Sequence, residues 1–455
     1  MEKEKKLNKK QIVAVITVII LVVAVGVCFF KAYQNAQNSG SESVNQTEND
    51  ILITDETTQS TDVSDTSVVN ITKGGSYNLT GSYESVTINT NEDVELVLKD
   101  VEITNKKGPA ICVESSDKVS IVLNGKNKIT STTTEALDGA ILSKDDLIFS
   151  GDGSLEINSN YDGIVSKDSL EINGGTYVIN SSDDGIRGKD EVTITSGTFT
   201  IAAGGDGIKS TNEEDSTKGN ITIENGTFTI NSKFDGIQAE NTLNIKNGSY
   251  NITTTDSSDS AKGIKAVGNL QIEDGTFSIN TVDDGIHSNS DVTINKGKYT
   301  ITSKDDAIHA DGKAEINGGT FDITAAEGIE ATYVKINDGT INISASDDGI
   351  NAGNKSNAYS TKIEINGGNI TITMGQGDTD GVDANGDIII NGGTISVTGQ
   401  STFDYDGTGT INGGTVICNG QKVTTLPNQM MGGGMNGGGM FPGNKSGGMM
   451  QNRGR

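Results

Sequence analysis

One short pattern recurs through most of this chain: Asp183-Asp184-Gly185-Ile186, Asp283-Asp284-Gly285-Ile286 and Asp305-Asp306-Ala307-Ile308 are three statements of it. Taking its Gly or Ala as a marker gives Gly139, Gly163, Gly185, Gly207, Gly236, Gly263, Gly285, Ala307, Gly328, Gly349, Gly381 and Gly407. The usual step is about 22 residues, with insertions in the longer ones. A second marker runs in phase: Ile172-Asn173-Gly174-Gly175-Thr176, Ile223-Glu224-Asn225-Gly226-Thr227, Ile272-Glu273-Asp274-Gly275-Thr276, Ile316-Asn317-Gly318-Gly319-Thr320 and Ile411-Asn412-Gly413-Gly414-Thr415. Two markers locked at one period define a repeat architecture.

Within a unit, Asp291-Val292-Thr293-Ile294, Lys298-Tyr299-Thr300-Ile301-Thr302 and Ala307-Ile308-His309-Ala310 alternate apolar and polar residues between Gly, Asn or Asp. Period two means short strands, three per unit. A propeller blade needs about twice this length, and a helical repeat needs a 3.6 period that no unit contains. The fold class is therefore all-β: a right-handed parallel β-helix, with the hand taken from the crossover rule. Coils about 4.8 Å apart stack Ile and Val inside and Thr, Ser and Asn outside. The absence of Trp fits a narrow interior.

Residues 1–31 read as a basic cytoplasmic tip and one transmembrane helix. Lys3, Lys5, Lys6, Lys9 and Lys10 precede a nearly unbroken apolar run from Ile12 to Phe30, long enough to span a bilayer with its N-terminus inside. The expected location is the cell membrane, single-pass, with the rest of the chain extracellular. A cleaved signal peptide, and so a secreted protein, is the alternative. Residues 32–67 are polar and aperiodic, the composition of a disordered stalk; 68–420 are the β-helix; 421–455 are a Gly- and Met-rich tail expected to be disordered. Cys112 and Cys418 lie in apolar strand contexts and read as small buried hydrophobes rather than a disulfide.

The net charge of −27 narrows the partner. Six lysines against two glutamates through Lys31 make +4, which leaves −31 beyond the anchor. A body so acidic is no nucleic-acid binder. A cation, or an anion bridged by one, suits it, and a monomer is expected.

The acidic charge is arranged. One residue before each marker stand Asp138, Asp162, Asp184, Asp206, Asp235, Asp284, Asp306, Glu327, Asp348, Asp380 and Asp406, interrupted by Lys262, and Asp183, Asp283, Asp305 and Asp347 double the column. Asp before Gly is ordinary turn chemistry. Stacked carboxylates, however, repel by about 3–4 kcal/mol per pair at an effective dielectric near 20, and Asn would build the turn without that cost. Something positive along the column is implied, and hard oxygen donors at flexible spacing suit Ca²⁺. The metal candidates are Asp162, Asp183, Asp184 and Asp206; Asp283, Asp284, Asp305, Asp306 and Glu327; and, more weakly, Asp347 and Asp348. Two positions past each marker lies an outward column that includes Arg187, Lys209, Lys265, His287 and His309. These are candidate ligand-binding residues for an acidic sugar, or plain neutralisers of the Asp column. For the two histidines ladder stacking is the plainer reading and a transition-metal pair the sharper one.

Over about Val68 to Asn419 the repeated Asp-Asp-Gly-Ile coils, the Ile-Asn-Gly-Gly-Thr turns and the Gly/Met-rich tail resemble a family of secreted or surface bacterial carbohydrate-binding proteins. The resemblance implies a calcium-loaded parallel β-helix, pectate-lyase-like in fold and calcium geometry, that binds polygalacturonate-like acidic polysaccharide and cellulose without being an enzyme. Its main rival is a calcium-dependent pectate lyase with Lys209 or Arg187 as base. Against a lyase, the insertions Thr211–Lys218, Thr253–Ser260 and Asn351–Tyr359 are short and polar, and a flat strip binds better than it catalyses. A structural surface stalk or adhesin is the third reading.

Overall fold

The computed structural model describes residues 51–53, 61–63, 67–132, 139–256, 260–377 and 379–428. The expected membrane segment Ile12–Phe30, most of the expected stalk, Asp138 and the Met-rich tail from residue 429 lie outside the described residues. Among the described residues there is no helix, and none long and apolar enough to cross a membrane.

The chain winds as a parallel β-solenoid. A typical coil comprises Ile186–Gly188, Glu191–Ile194 and Thr198–Ala203, and each of these strands pairs in parallel with its equivalent one coil on: Ile208–Ser210, Asn220–Ile223 and Thr227–Ser232. Three sheets thus run along the molecule. The pairing register repeats the sequence register, so Ile164, Ile186, Ile208, Ile237, Ile264, Ile286, Ile308, Ile329 and Ile350 are successive partners, all fully buried. Period-two alternation puts every second side chain into this shared interior.

The marker glycines are demanded by coil spacing. A methyl group on Gly185 would sit 2.5 Å from the Gly207 carbonyl oxygen and 2.6 Å from Ile201 Cγ2, and Gly207 and Gly236 are placed alike. The second marker has a different cause. Gly197 and Gly226 adopt φ +143° and +148°, and a Cβ on either would lie 2.8 Å from the ring of Phe199 or Phe228. The positive φ of the second marker excludes an L side chain; the crowding at the first yields once, to the methyl of Ala307.

Those rings belong to an interior feature that the low aromatic content concealed. Tyr177, Phe199, Phe228, Tyr250, Phe277, Tyr299 and Phe321 stack at centroid distances of 4.5–4.9 Å within 5° of parallel. The tyrosine hydroxyls escape burial penalty by donating to a carbonyl three residues back, as Tyr250 does to Asn247 O at 2.9 Å. Outside, the turn asparagines form the expected ladder: Asn317, Asn337, Asn366, Asn391 and Asn412 each donate an amide hydrogen to the Asn of the preceding coil at 2.6–2.9 Å.

Both ends differ from expectation. Ile51–Ile53 pairs with Val69–Ile71 and Thr61–Val63 with Tyr77–Leu79, so strands begin inside the 32–67 segment read as stalk. These two short strands add pairing partners ahead of Val69–Ile71 and Tyr77–Leu79. At the other end, Thr415–Cys418 turns back into Gln421–Val423 as an antiparallel hairpin through Asn419 and Gly420, at φ +49° and +77°. Asn-Gly suits such a turn, and the returning strand covers an otherwise open sheet edge. The fold therefore passes the boundary expected at residue 420. The last marker also shifts: Val382 pairs with Phe403 and Asp380 with Ser401, so Ser401 and Thr402 occupy the Asp-Gly place and Asp406 stands outside the column. Cys112 and Cys418 are free thiols, half-buried rather than core. Cys112 sits between the inward Ile111 and Val113 and donates to Glu114 Oε1 at 3.3 Å.

Candidate functional site

The Asp column is almost fully withdrawn from solvent: Asp162, Asp184, Asp206, Asp235, Asp284 and Asp306 are each buried. One oxygen of each of the first five explains how. Asp184 N–H donates to Asp162 Oδ1 at 3.0 Å, Asp206 N–H to Asp184 Oδ1 at 2.8 Å, Asp235 N–H to Asp206 Oδ1 at 2.7 Å and Lys262 N–H to Asp235 Oδ1 at 2.7 Å. Asp306 N–H and Asp380 N–H repeat the bond to Asp284 and Asp348. Each carboxylate thus satisfies a buried backbone donor of the next coil, which a solvent-facing turn would leave to water.

The second oxygen meets the outward column. Arg187 lies 2.6 Å from Asp162 Oδ2, Lys209 2.6 Å from Asp206 Oδ2, Lys265 3.3 Å from Asp235 Oδ2, His287 Nδ1 2.8 Å from Asp284 Oδ2 and His309 Nδ1 2.6 Å from Asp306 Oδ2. All five residues expected to meet a sugar therefore turn a charged or polar end to the acidic column. Burial alone would lower the Lys209 pKa, but the charges of Asp206 and Asp184 outweigh it and hold the ammonium protonated.

Lys262, visible in the sequence only as an interruption, proves to be a partner. Its ammonium lies 2.6 Å from Asp283 Oδ2 and 3.1 Å from Asp284 Oδ2, inside one of the two expected calcium neighbourhoods. Burial opposes ionisation of Asp284, yet the His287 bond and the Lys262 charge hold its carboxyl well below the usual range. The signal was charge complementarity one coil apart: a lysine in an acidic column beside an acidic doublet. Glu330 and Lys355 were likewise missed. Glu330 replaces a cation in the outward column, lies 3.0 Å from His309 Nδ1, and takes Lys355 at 2.7 Å from the loop after Ala352.

Compensation is uneven. Burial pushes Asp184 up to about 7 with Lys209 4.0 Å away, Asp306 and Asp348 to about 7, Glu327 to about 8 and Asp383 to about 6. Toward the C-terminal end the outward column changes from His309 and Glu330 to Asn351, Asp383 and Asp404, which supply no cation. Asp347 is exposed beside Asp348 there.

Among the described residues, two all-carboxylate groups bring three oxygens within 4.8 Å of one another: Asp162, Asp183 and Asp184, and Asp283, Asp284 and Asp305. Only the first lacks a lysine between its doublet. Its Asp183 is exposed, and the next coil places Gly205 opposite the doublet, where a Cβ would lie 2.5 Å from Asp184 Oδ1 and 2.6 Å from Asp183 Oδ1. A side chain there would push both oxygens apart; its absence leaves them convergent.

A family model described as carbohydrate-binding domain-containing protein matches residues 65–307, 288–330 and 304–426, and the chain belongs to that family. A carbohydrate-binding domain-containing protein of Acetivibrio thermocellus is 33% identical over 122 residues, covering 24% of this chain and 43% of that protein. The match thus spans less than half of that relative's length. The solved structure of the polysaccharide lyase-like protein from C. thermocellum, a gadolinium derivative, is 31% identical and covers 46% of this chain and 89% of that one, with a TM-score of 0.42.

Proposed function

We propose that this member of the family is an extracellular, calcium-dependent carbohydrate-binding protein whose ligand is an acidic polysaccharide of the polygalacturonate kind, with cellulose as a second polymer. The observation that carries the reading is the group Asp162, Asp183 and Asp184, three carboxylates within 4.8 Å of one another with one edge open to solvent. Hard oxygen donors in a pliable turn suit Ca²⁺, which accepts six to eight oxygens and can take some of them from a ligand. A chain of net charge −27 repels a polyuronate, so a bound divalent ion is the element that joins them. The right-handed wind follows the crossover rule, and Ile12–Phe30 would hold the solenoid on the outer face of a cell membrane.

Binding without chemistry is the better supported form of this reading. A lyase needs an unprotonated base beside the uronate α-carbon. Lys209 is engaged by Asp206 and held protonated, and Arg187 is engaged by Asp162. The reading is tested by pull-down of the full-length protein in mild detergent with polygalacturonate, cellulose and a neutral glucan, with calcium and with a chelator. Retention on polygalacturonate only with calcium is expected; retention on none of the three would leave a structural stalk.

A further inference from the structure

His287 and His309 are the chain's two histidines, and their rings stack 4.7 Å apart and 11° from parallel. They occupy the column that holds Arg187, Lys209 and Lys265 in earlier coils. Arginine and protonated lysine have no lone pair to offer a metal; imidazole has one. Both rings turn Nδ1 toward the acidic column, His287 at 2.8 Å from Asp284 Oδ2 and His309 at 2.6 Å from Asp306 Oδ2.

The His309 arrangement is overloaded for a hydrogen bond. Its Nδ1 lies 3.0 Å from Glu330 Oε2 as well as 2.6 Å from Asp306 Oδ2, yet an N–H carries one proton and makes one well-aligned bond. A metal ion shared among converging donors has no such restriction. The other ring nitrogen completes the pattern. His309 Nε2 is 3.3 Å from Asp311 Oδ1, the place of an acceptor that would hold the Nε2–H tautomer and leave the Nδ1 lone pair for a metal. A carboxylate behind an imidazole is the usual outer support of a metal-ligating histidine.

We infer that Asp284, His287 and His309, whose donor atoms all lie within 4.8 Å of one another, form a site for a divalent transition ion of the zinc class, separate from the all-oxygen group at Asp162. Two imidazoles and a carboxylate are a zinc-type donor set, whereas calcium takes oxygen ligands and gains little from imidazole. Asp306 and Glu330 surround the same ring and supply further negative charge; Lys262 Nζ, 3.1 Å from Asp284 Oδ2, is the ammonium a metal would displace toward Asp283, which it already meets at 2.6 Å.

The experiment is equilibrium dialysis of the full-length protein in mild detergent against Zn²⁺ with excess Ca²⁺, repeated with Co²⁺ read by its visible absorption. Wild type should hold about one zinc more than the His287→Gln/His309→Gln double variant, and that variant should lose the cobalt bands assigned to imidazole ligation. Asp311→Asn changes a side chain that is 35% exposed and so leaves the core untouched; it should weaken zinc by about tenfold or more. Should the double variant fail to fold, Asp311→Asn decides alone. Equal zinc in wild type and double variant, loss of the zinc to excess calcium, or undiminished affinity in Asp311→Asn would each overturn the site.

Discussion

The backbone N–H of Asp206 donates to Oδ1 of Asp184 at 2.8 Å, and the same bond recurs one coil on, where Asp235 N–H donates to Asp206 Oδ1 at 2.7 Å. The carboxylates of the column are thus joints between coils before they are anything else. Asp206 also holds Lys209 on its second oxygen at 2.6 Å. Asn can reproduce the first contact but turns an NH₂ group toward the lysine; Ala loses both.

Asp206→Ala should accordingly cost about 3–5 kcal/mol, since it leaves a buried N–H without its acceptor and a charge without its partner. Asp206→Asn should cost roughly half as much, keeping the backbone bond. Urea denaturation of both variants provides the comparison. Equal destabilisation would mean that the backbone bond contributes little.

The aromatic ladder allows a second graded test at Phe228, which stacks between Phe199 and Tyr250 at 4.9 Å on each side. Phe228→Ala opens a cavity in a coil whose neighbours cannot close over it, at a cost of about 3–5 kcal/mol. Phe228→Tyr should stay within about 1 kcal/mol, because the hydroxyl can reach the carbonyl of Asn225 just as Tyr250 reaches that of Asn247. A severe loss from the tyrosine variant would show that the ladder tolerates Tyr only at its present positions.

Stability should fall with rising pH in the absence of divalent ions. Burial raises Asp184, Asp306 and Asp348 to about 7, Glu327 to about 8 and Asp383 to about 6. Between the ordinary carboxylate range and those values the folded chain holds more protons than the unfolded one, so the stabilisation is complete at the acid end and is lost as pH rises through the window. His309, raised to about 11, adds the same sign above its ordinary 6.5. Glu330, lowered to about 2 by its contacts with His309 and Lys355 against the effect of burial, acts oppositely and only in acid. The melting temperature in EDTA should be higher near pH 5 than near pH 8, and calcium should narrow the gap by favouring the ionised forms. A flat or rising profile in EDTA would refute the unevenly compensated column.

The period, the three strands and the two glycine markers were legible because each recurs from coil to coil: what crowds a Cβ at Gly185 crowds it again at Gly207 and Gly236, with Ala307 the exception. The acidic column was equally legible, its partners less so. Repulsion between stacked aspartates implied a cation, and much of that charge turned out to be the chain's own, on Arg187, Lys209, Lys262 and Lys265. Position two past the marker was recognised as outward, but pattern alone could not tell a side chain reaching for ligand from one lying back on its own turn. Lys355 was out of reach for another reason. It comes from an insertion, where the period that fixes every other position is suspended, and it meets Glu330 only because the loop returns over the preceding coil. The aromatic ladder was written in the sequence as a Tyr or Phe two residues past the second-marker glycine in the coils from Gly175 to Gly319, and went unread because so few aromatic residues occur overall.

The last prediction separates a calcium bridge from a merely acidic surface. Asp183 is exposed and belongs to a carboxylate triplet without a lysine between its doublet, so Asp183→Asn should leave the EDTA melting temperature unchanged while removing a charge that holds the ion. Gly205→Ala attacks the same place from the opposite coil, since its methyl would lie 2.5 Å from Asp184 Oδ1 and 2.6 Å from Asp183 Oδ1. Each variant should weaken calcium-dependent retention on polygalacturonate by roughly tenfold or more, equivalent to about 1.4 kcal/mol. Retention on cellulose should persist, because a neutral polymer needs hydrogen bonds from the Thr and Asn ladders and not a divalent bridge. If both variants hold polygalacturonate as tightly as wild type, calcium at Asp162, Asp183 and Asp184 is not what recognises the polymer. If incubation with calcium releases unsaturated products that absorb in the ultraviolet, and Lys209→Ala abolishes them, the protein is a lyase in which Lys209 must part from Asp206 to act.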